Sequence, residues 1–281
     1  MKLFDKTETI GKSLIQHGPN NDRVYLMKLA SEDKVEIVNT LYNLAILKRY
    51  TKIFVKVPES SANVFLENNF KEEARIPRFY NGKEDGCFMS LYFSAKRSFV
   101  ARKTKKLIQS IVSAASEPYK LEHLQLDSAY TIQLLTEEHV SELSHLYKKV
   151  FKVYPFPIFD EKYLLETMND HIKYFGVFKG GNLVAASSAE MDPTGENAEM
   201  TDFATHPDHL GRKLSMFLLQ AMEDDMKSSG IKTVYTIARA TSYGMNKTFG
   251  RMGYSFGGTL INNTLIGESI ENMNVWYKGL A

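Results

Sequence analysis

The chain has almost no cysteine. Cys87 is the single one in 281 residues, which excludes an internal disulfide framework and thiol metal clusters and fits a reducing cytoplasm. Neither Cys-x-x-Cys nor His-Glu-x-x-His occurs, so no metal is expected. Net charge is nearly absent too. The 35 Lys and Arg against 33 Asp and Glu give +2, too weak a field to imply nucleic acid or a membrane surface. A basic run from Lys96-Arg97 to Lys105-Lys106 lies in a helix-like segment and reads as a solvated face. Apolar runs long enough to span a bilayer are missing, and Met1-Lys2-Leu3-Phe4-Asp5 lacks the core of a signal peptide. These absences predict a soluble, cytoplasmic protein without nucleic-acid or membrane partners.

What is present has the composition of a globular protein, 43% hydrophobic and 24% charged, long enough for one large domain or two ordinary ones. The most informative stretch is residues 199–219. Residues 200–205 read as a strand, and Pro207 ends its ladder because proline has no N–H to give. A tight turn carrying Gly211, Arg212 and Lys213 follows. From there Leu214, Phe217, Leu218 and Ala221 recur at helical spacing. Unpaired N–H groups at the start of that helix, beside two cations, make an anion site suited to a pyrophosphate.

Two units are expected, 1–117 and 118–281. In the first, 24–29 and 53–57 read as strands, and a helix over 35–45 follows Ser31 as its cap. Ser60 or Ser61 would cap a short helix, a strand follows over 87–93, and residues 96–116 form one connecting helix. The second has a strand over 131–135, a helix opened by Thr136 and an aromatic-proline loop, Tyr154-Pro155-Phe156-Pro157. A hairpin over 174–190 follows, then the central strand, turn and helix to Gly230, and a strand over 232–238. The endings of the units, 65–93 and 249–277, repeat one arrangement. In the first copy the strand ends at Val57-Pro58 and passes to its helix without a phosphate-binding turn.

Strand, then His-Pro-Asp-x-x-Gly-Arg-x-Leu-Ser, then an amphipathic helix resembles the acyl-CoA-binding segment of the GNAT acetyltransferases. Their signature Gln/Arg-x-x-Gly-x-Gly/Ala falls on Leu210, Lys213 and Ser215, none a strict match. The resemblance implies an α/β GNAT acyltransferase fold, a mixed central sheet flanked by helices. A smaller, degenerate GNAT-like α/β unit that does not bind CoA would precede it. Acetyl-CoA is then the co-substrate, held by Phe203, Ala204, Thr205, Gly211, Arg212, Lys213, Leu214, Ser215, Asn246 and Phe249. Glu199 is placed where the family puts the base that deprotonates the amine, with Asp202 as the alternative. In a regular strand the two point to opposite faces, so both line a cleft only if a bulge intervenes. Phe249 occupies the position of the family's proton-donating tyrosine and cannot donate, which leaves Tyr243, a water, or a thiolate that departs unaided. Cys87 has a core setting, and His206 reads as a turn residue.

Glu73-Ala74-Arg75-Ile76-Pro77-Arg78-Phe79-Tyr80-Asn81-Gly82-Lys83-Glu84-Asp85, with the 199–205 stretch, sharpens the likeness to the β-lysine N-acetyltransferases over nearly the whole chain. That resemblance implies direct acetylation of the N6 amine of β-lysine, downstream of lysine 2,3-aminomutase, to make a compatible solute for osmoadaptation. Arg75, Arg78, Tyr80 and Glu84 are the candidate substrate contacts, an arginine for the carboxylate and an acid for the unreacted amine. Two alternatives stay open: a GNAT acting on another small amine, polyamine or protein lysine, and a non-catalytic acyl-CoA-binding module. A homodimer is equally open.

Overall fold

Alternating apolar and polar residues along the strands fold the chain into a single mixed sheet with helices on both faces. The computed structural model describes residues 5–120 and 124–280. The first half runs β1 (Lys6–Ile10), β2 (Ser13–Gly18), β3 (Arg23–Lys28), α1 (Ile37–Lys48), β4 (Lys52–Pro58), α2 (Glu59–Leu66), β5 (Lys71–Tyr80) and β6 (Glu84–Tyr92). Helices α3 (Ala95–Ser98) and α4 (Arg102–Ala115) connect it onward. The second half runs β7 (Tyr130–Leu134), α5 (Val140–Val150), α6 (Glu161–Met168), β8 (Ile172–Lys179), β9 (Asn182–Asp192) and β10 (Asn197–Thr205). It ends with α7 (Leu214–Ser228), β11 (Thr233–Arg239), α8 (Tyr243–Arg251), β12 (Ser255–Ile266) and β13 (Ser269–Gly279).

The strand order is β1-β2-β3-β4-β6-β5-β12-β13-β11-β10-β9-β8-β7. Read outward from the β5–β12 seam, the two sides carry the same plan. Each has one parallel pair, β3–β4 or β10–β11, bridged by α1 or α7. In each a further helix and a closing hairpin follow, so α2 corresponds to α8 and β5–β6 to β12–β13. The repeated endings seen in the sequence therefore correspond in topology. The turn correspondence does not. The counterpart of the Gly211 turn is the β3–α1 connection over 29–36, not the passage at Val57-Pro58. It is acidic, with Glu32, Asp33 and Glu36, and Asp33 accepts from the Lys12 N–H (2.8 Å) and the Ser13 hydroxyl (2.6 Å).

Helices α1 and α2 bury one face of the first half, and α7 and α8 bury the corresponding face of the second. Helices α5 and α6 cover the opposite face at the β7–β9 end. Between the halves lies a further core that brings Tyr25 and Phe54 together with Tyr235, Met273 and Val275. The seam itself has one register pair, Gly258 with Ala74. Buried polar groups reinforce it. The Glu73 carboxylate accepts from Lys52 Nζ (3.2 Å), the Ser90 hydroxyl (2.6 Å), the Tyr92 hydroxyl and the Ile261 N–H (3.3 Å). Lys52, fully buried, also donates to the Ile261 carbonyl at 2.7 Å.

Three local expectations need correction. The connecting helix is two helices, because Arg97 reaches into the seam to donate to the carbonyls of Asn21 and Asn262. Asn262 Nδ2 in turn takes the carbonyls of Arg97 and Phe99 that a continuous helix would have used. Ser31 makes no cap and lies in a 3-10 turn before α1. Neither Ser60 nor Ser61 caps α2; both lie inside it after Pro58, and the Ser60 N–H donates to the Glu84 carboxylate at 2.8 Å.

Candidate active site

Strand β10 fixes the site. Its pairing with β9 runs in register to Thr201–Ser188 and resumes at Ala204–Ala186, so one extra residue bulges out. Asp202 sits there with φ +55. The bulge cancels the alternation that would separate them, and Glu199, Thr201 and Asp202 line one cavity. Phe203, Met200 and Ala198 face the opposite core under α7. Strand β10 pairs with β11 only from Asn197–Thr233 to Glu199–Tyr235, although the strands continue to Thr205 and Arg239. Beyond Glu199 the sheet therefore forks.

On one face of the fork is a cavity of about 90 Å³. Both halves build it: Arg23, Tyr25, Phe54 and Lys56 come from β3 and β4, and Glu190, Glu199 and Asp202 from β9 and β10. Tyr154, Pro155 and Phe156 of the aromatic-proline loop wall its other side. Glu199 stands directly opposite Glu190 in the ladder. Burial, and then the Glu190 charge, push the Glu199 carboxyl up to about 7, against the pull of Lys56 and the Tyr235 hydroxyl. The Lys56 ammonium donates to that hydroxyl at 2.9 Å. Asp202 is also raised by burial, but both its oxygens are taken, one by the Tyr154 hydroxyl and one by the Ser188 hydroxyl at 2.6 Å.

On the other face is an open groove of about 580 Å³ between the starts of α7 and α8, lined by Phe203, Thr205 and residues 209–216. Gly211 has φ +77 and Lys213 φ +58. Lysine thus adopts the left-handed conformation in which glycine is usual, and the turn forms despite it. Among the described residues no hydrogen bond is made by the N–H groups of Gly211, Arg212, Lys213, Leu214 or Ser215. Five consecutive free donors at a helix start form a cradle for a diphosphate, so the residues present fit the nucleotide end of a CoA thioester.

Of the expected cofactor contacts, Phe203, Thr205, Gly211, Arg212, Lys213, Leu214 and Ser215 line the groove, and Ala204, Asn246 and Phe249 do not. Ala204 points into the α5–α6 core. Asn246 is fully buried, its Oδ1 accepting from Asn274 and the Trp276 indole at 2.8 Å each. Phe249 is buried edge-on to Phe203, with ring centroids 5.5 Å apart. Tyr243 opens α8 at the groove, half exposed, and its hydroxyl accepts from Lys247 at 2.8 Å. The expected substrate contacts lie outside the cavity. Arg75 pairs with Glu72, Glu59 and Asp85, Arg78 is exposed, Tyr80 packs edge-on to Phe79, and Glu84 holds the start of α2. Cys87 is buried in the core, its thiol pushed up to about 12 by burial.

Arg23, Lys56, Glu190 and Tyr235 were not found from the sequence. Glu190 could have been, since a hairpin register places it beside Glu199. Arg23 and Lys56 reach the cavity from the first half, and Tyr235 stands beside Glu199 on β11, long-range placements that no local pattern announces.

Residues 133–254 match the family model described as Acetyltransferase (GNAT) family. The chain is 38% identical to the β-lysine N(6)-acetyltransferase of Methanococcus maripaludis over 98% of this chain and 99% of that one. It is 32% identical to the enzyme of that name from Methanosarcina mazei, over 87% and 97%. It is 36% identical to the N-acetyltransferase YodP of Bacillus subtilis, over 82% of each chain. With the forked strand pair, the free-amide cradle and relatives matched over 82–99% of their lengths, the chain belongs to the GNAT acetyltransferase family.

Proposed function

We propose that this chain transfers the acetyl group of acetyl-CoA directly to the N6 amine of β-lysine. The observation that carries it is the bulge at Asp202, which puts two carboxylates into one cavity at the fork, back to back with the cradle. The substrate name comes from the two β-lysine N(6)-acetyltransferases that the chain resembles. Bound in the groove, acetyl-CoA supplies a thioester carbonyl open to attack by an amine. Residues 211–215 hold its diphosphate, and Phe203 and Thr205 wall its approach to the fork.

Glu199 is the base. An amine is nucleophilic only without its extra proton, and a carboxylate near pH 7 takes that proton efficiently at neutral pH. Asp202 is less suited, because Tyr154 and Ser188 already occupy both its oxygens; it orients the Tyr154 loop over the cavity. An amide at Phe203 or Ala204, on the edge where β10 has parted from β11, meets the negative charge that develops on the carbonyl oxygen. Tyr243 returns a proton to the departing sulfur. Its hydroxyl accepts from Lys247, which leaves the hydroxyl hydrogen free to give. Residues 1–117 form a unit that no longer binds CoA, since the acidic 29–36 turn repels a diphosphate, and that instead walls the substrate cavity. The proposal extends to a cytoplasmic setting, supply of β-lysine by lysine 2,3-aminomutase, and a product serving osmoadaptation. Among the described residues no helix is long and apolar enough to cross a membrane.

The test is CoA release from acetyl-CoA across a panel of amines. Preference for β-lysine supports the reading. Preference for spermidine or a lysine peptide removes the substrate, and binding without turnover on any amine removes the enzyme.

A further inference from the structure

Among the lining side chains of the cavity, one buried guanidinium carries a charge that no carboxylate among the described residues pairs with, whereas the other lining cation, Lys56, is only half-buried and donates to the Tyr235 hydroxyl beside Glu199. Arg23 is 4% exposed. Its Nη1 donates to the Asn263 carbonyl (2.5 Å) and the Thr264 hydroxyl (3.2 Å). Its Nε is buried without a partner, and no carboxylate within salt-bridge reach pairs with it among the described residues. The other buried cations of the same region are paired, Lys52 with Glu73 and Arg97 with Asp22. Tyr25 and Phe54 hold the guanidinium plane, at 5.1 and 5.6 Å from their ring centroids. A buried cation without a counter-ion burdens the fold unless something supplies the charge. Burial lowers its pKa only to about 10, so it stays charged at neutral pH.

The opposite pattern holds at the β9–β10 wall. Glu190, Glu199 and Asp202 gather three carboxyl groups there, with the Lys56 ammonium of β4 pulling on Glu199 and the His171 ring Nε2 3.9 Å from Glu190. The cavity is thus polarised from a guanidinium on the first half to carboxylates on the second.

We infer that Arg23 is the anchor for the carboxylate of an amino-acid substrate, and that the half that does not hold the cofactor thereby makes the enzyme selective for amino acids over polyamines. The inference rests on the reading of the cavity as the acceptor site. A diamino acid answers both ends at once: its carboxylate pairs with the free Nε edge of Arg23, and its ammonium groups face Glu190 and Glu199. A polyamine of similar length leaves Arg23 unpaired and pushes a cation toward it. A site built to pair a polar group rejects the analogue lacking it strongly, because its own buried group is left unsatisfied. The guanidinium also fixes which amine reacts. With the carboxylate held at the far wall, the amine at the other end of the chain reaches the fork.

The test compares β-lysine with its carboxamide and with 1,4-diaminopentane, which lacks the carboxylate, in wild type, Arg23→Lys and Arg23→Gln. In wild type, kcat/KM should fall at least 100-fold from β-lysine to either analogue. Arg23→Gln should raise the KM for β-lysine at least 100-fold, leave the KM for acetyl-CoA within twofold, and shrink the discrimination against the carboxamide below tenfold. Arg23→Lys should recover part of it. Should Arg23→Gln fold poorly, the thermal shift of wild type with β-lysine against its carboxamide still decides, since equal shifts overturn the anchor. Retained discrimination in Arg23→Gln overturns the inference alone. If wild type prefers diaminopentane to β-lysine, the β-lysine reading fails with it.

Discussion

Gly258→Ala tests the seam on which the cavity depends. Gly258 is the β12 residue paired with Ala74, and its φ of +145 lies where side-chain-bearing residues are strained. A Cβ there would meet the Glu73 carbonyl at 2.2 Å and the Ala74 Cα and Cβ at 2.6 and 2.7 Å. These are backbone atoms and a strand methyl, which cannot swing aside. Strain in that region costs about 1–3 kcal/mol, and overpacking a fitted contact costs roughly as much again. Together they give about 4 kcal/mol, or roughly 8 °C in Tm at the shallow slope of a large chain. Because β12 also supplies Asn263, Thr264 and Ile266 to the cavity, parting the strands should raise the amine KM several-fold and leave the acetyl-CoA KM unchanged. Thermal unfolding by circular dichroism and steady-state kinetics with each substrate varied would measure both. Gly279→Ala, with open space around its Cβ, is the control. A Tm within 2 °C of wild type would refute the argument.

Glu199→Gln should lower kcat/KM by about 10²–10⁴-fold, and the wild-type rate should climb as pH rises through about 7. Stability should run the other way. The native carboxyl keeps its proton to about 7 and the unfolded one loses it near 4.5, so wild type loses on the order of 3 kcal/mol between those values. Glu199→Gln escapes that loss and should melt higher than wild type at pH 8; equal melting curves would count against a buried, strained carboxylate. Gly211→Val forces a β-branched residue into φ +77 with no clash around it, so it should raise the acetyl-CoA KM about tenfold and lower Tm by about 2–6 °C from backbone strain alone. An unaltered acetyl-CoA KM would dismiss the cradle. In Gly250→Ala the new methyl would lie 1.9 Å from the Ala115 carbonyl oxygen, so the α4–α8 contact should open and destabilise by about 1–3 kcal/mol, read by urea denaturation.

What the sequence made legible was local. The β10–turn–α7 unit could be read because proline, glycine and helical spacing act over a few residues, and the residues of that turn do line the groove. The bulge at Asp202 was foreseen as a condition but not located, since it follows from the β9 register. The expected substrate contacts lie outside the cavity for a related reason. Arg75 and Arg78 lie in a charge-rich hairpin that satisfies itself, whereas Arg23 sits in an apolar strand, Val24-Tyr25-Leu26, that looks like plain core. Phe249 and Asn246 were expected from the family resemblance, yet α8 turns that side into the sheet, where Asn246 ties Asn274 to Trp276.

The fork also governs traffic. On the proposed reading, donor and acceptor enter from opposite faces of one sheet and meet edge to edge through the gap between β10 and β11. Neither doorway obstructs the other, so spent carrier and acetylated product can depart in either order, and no covalent way-station on the protein is needed to hand the group across. Initial-velocity plots against both reactants should therefore intersect instead of running parallel.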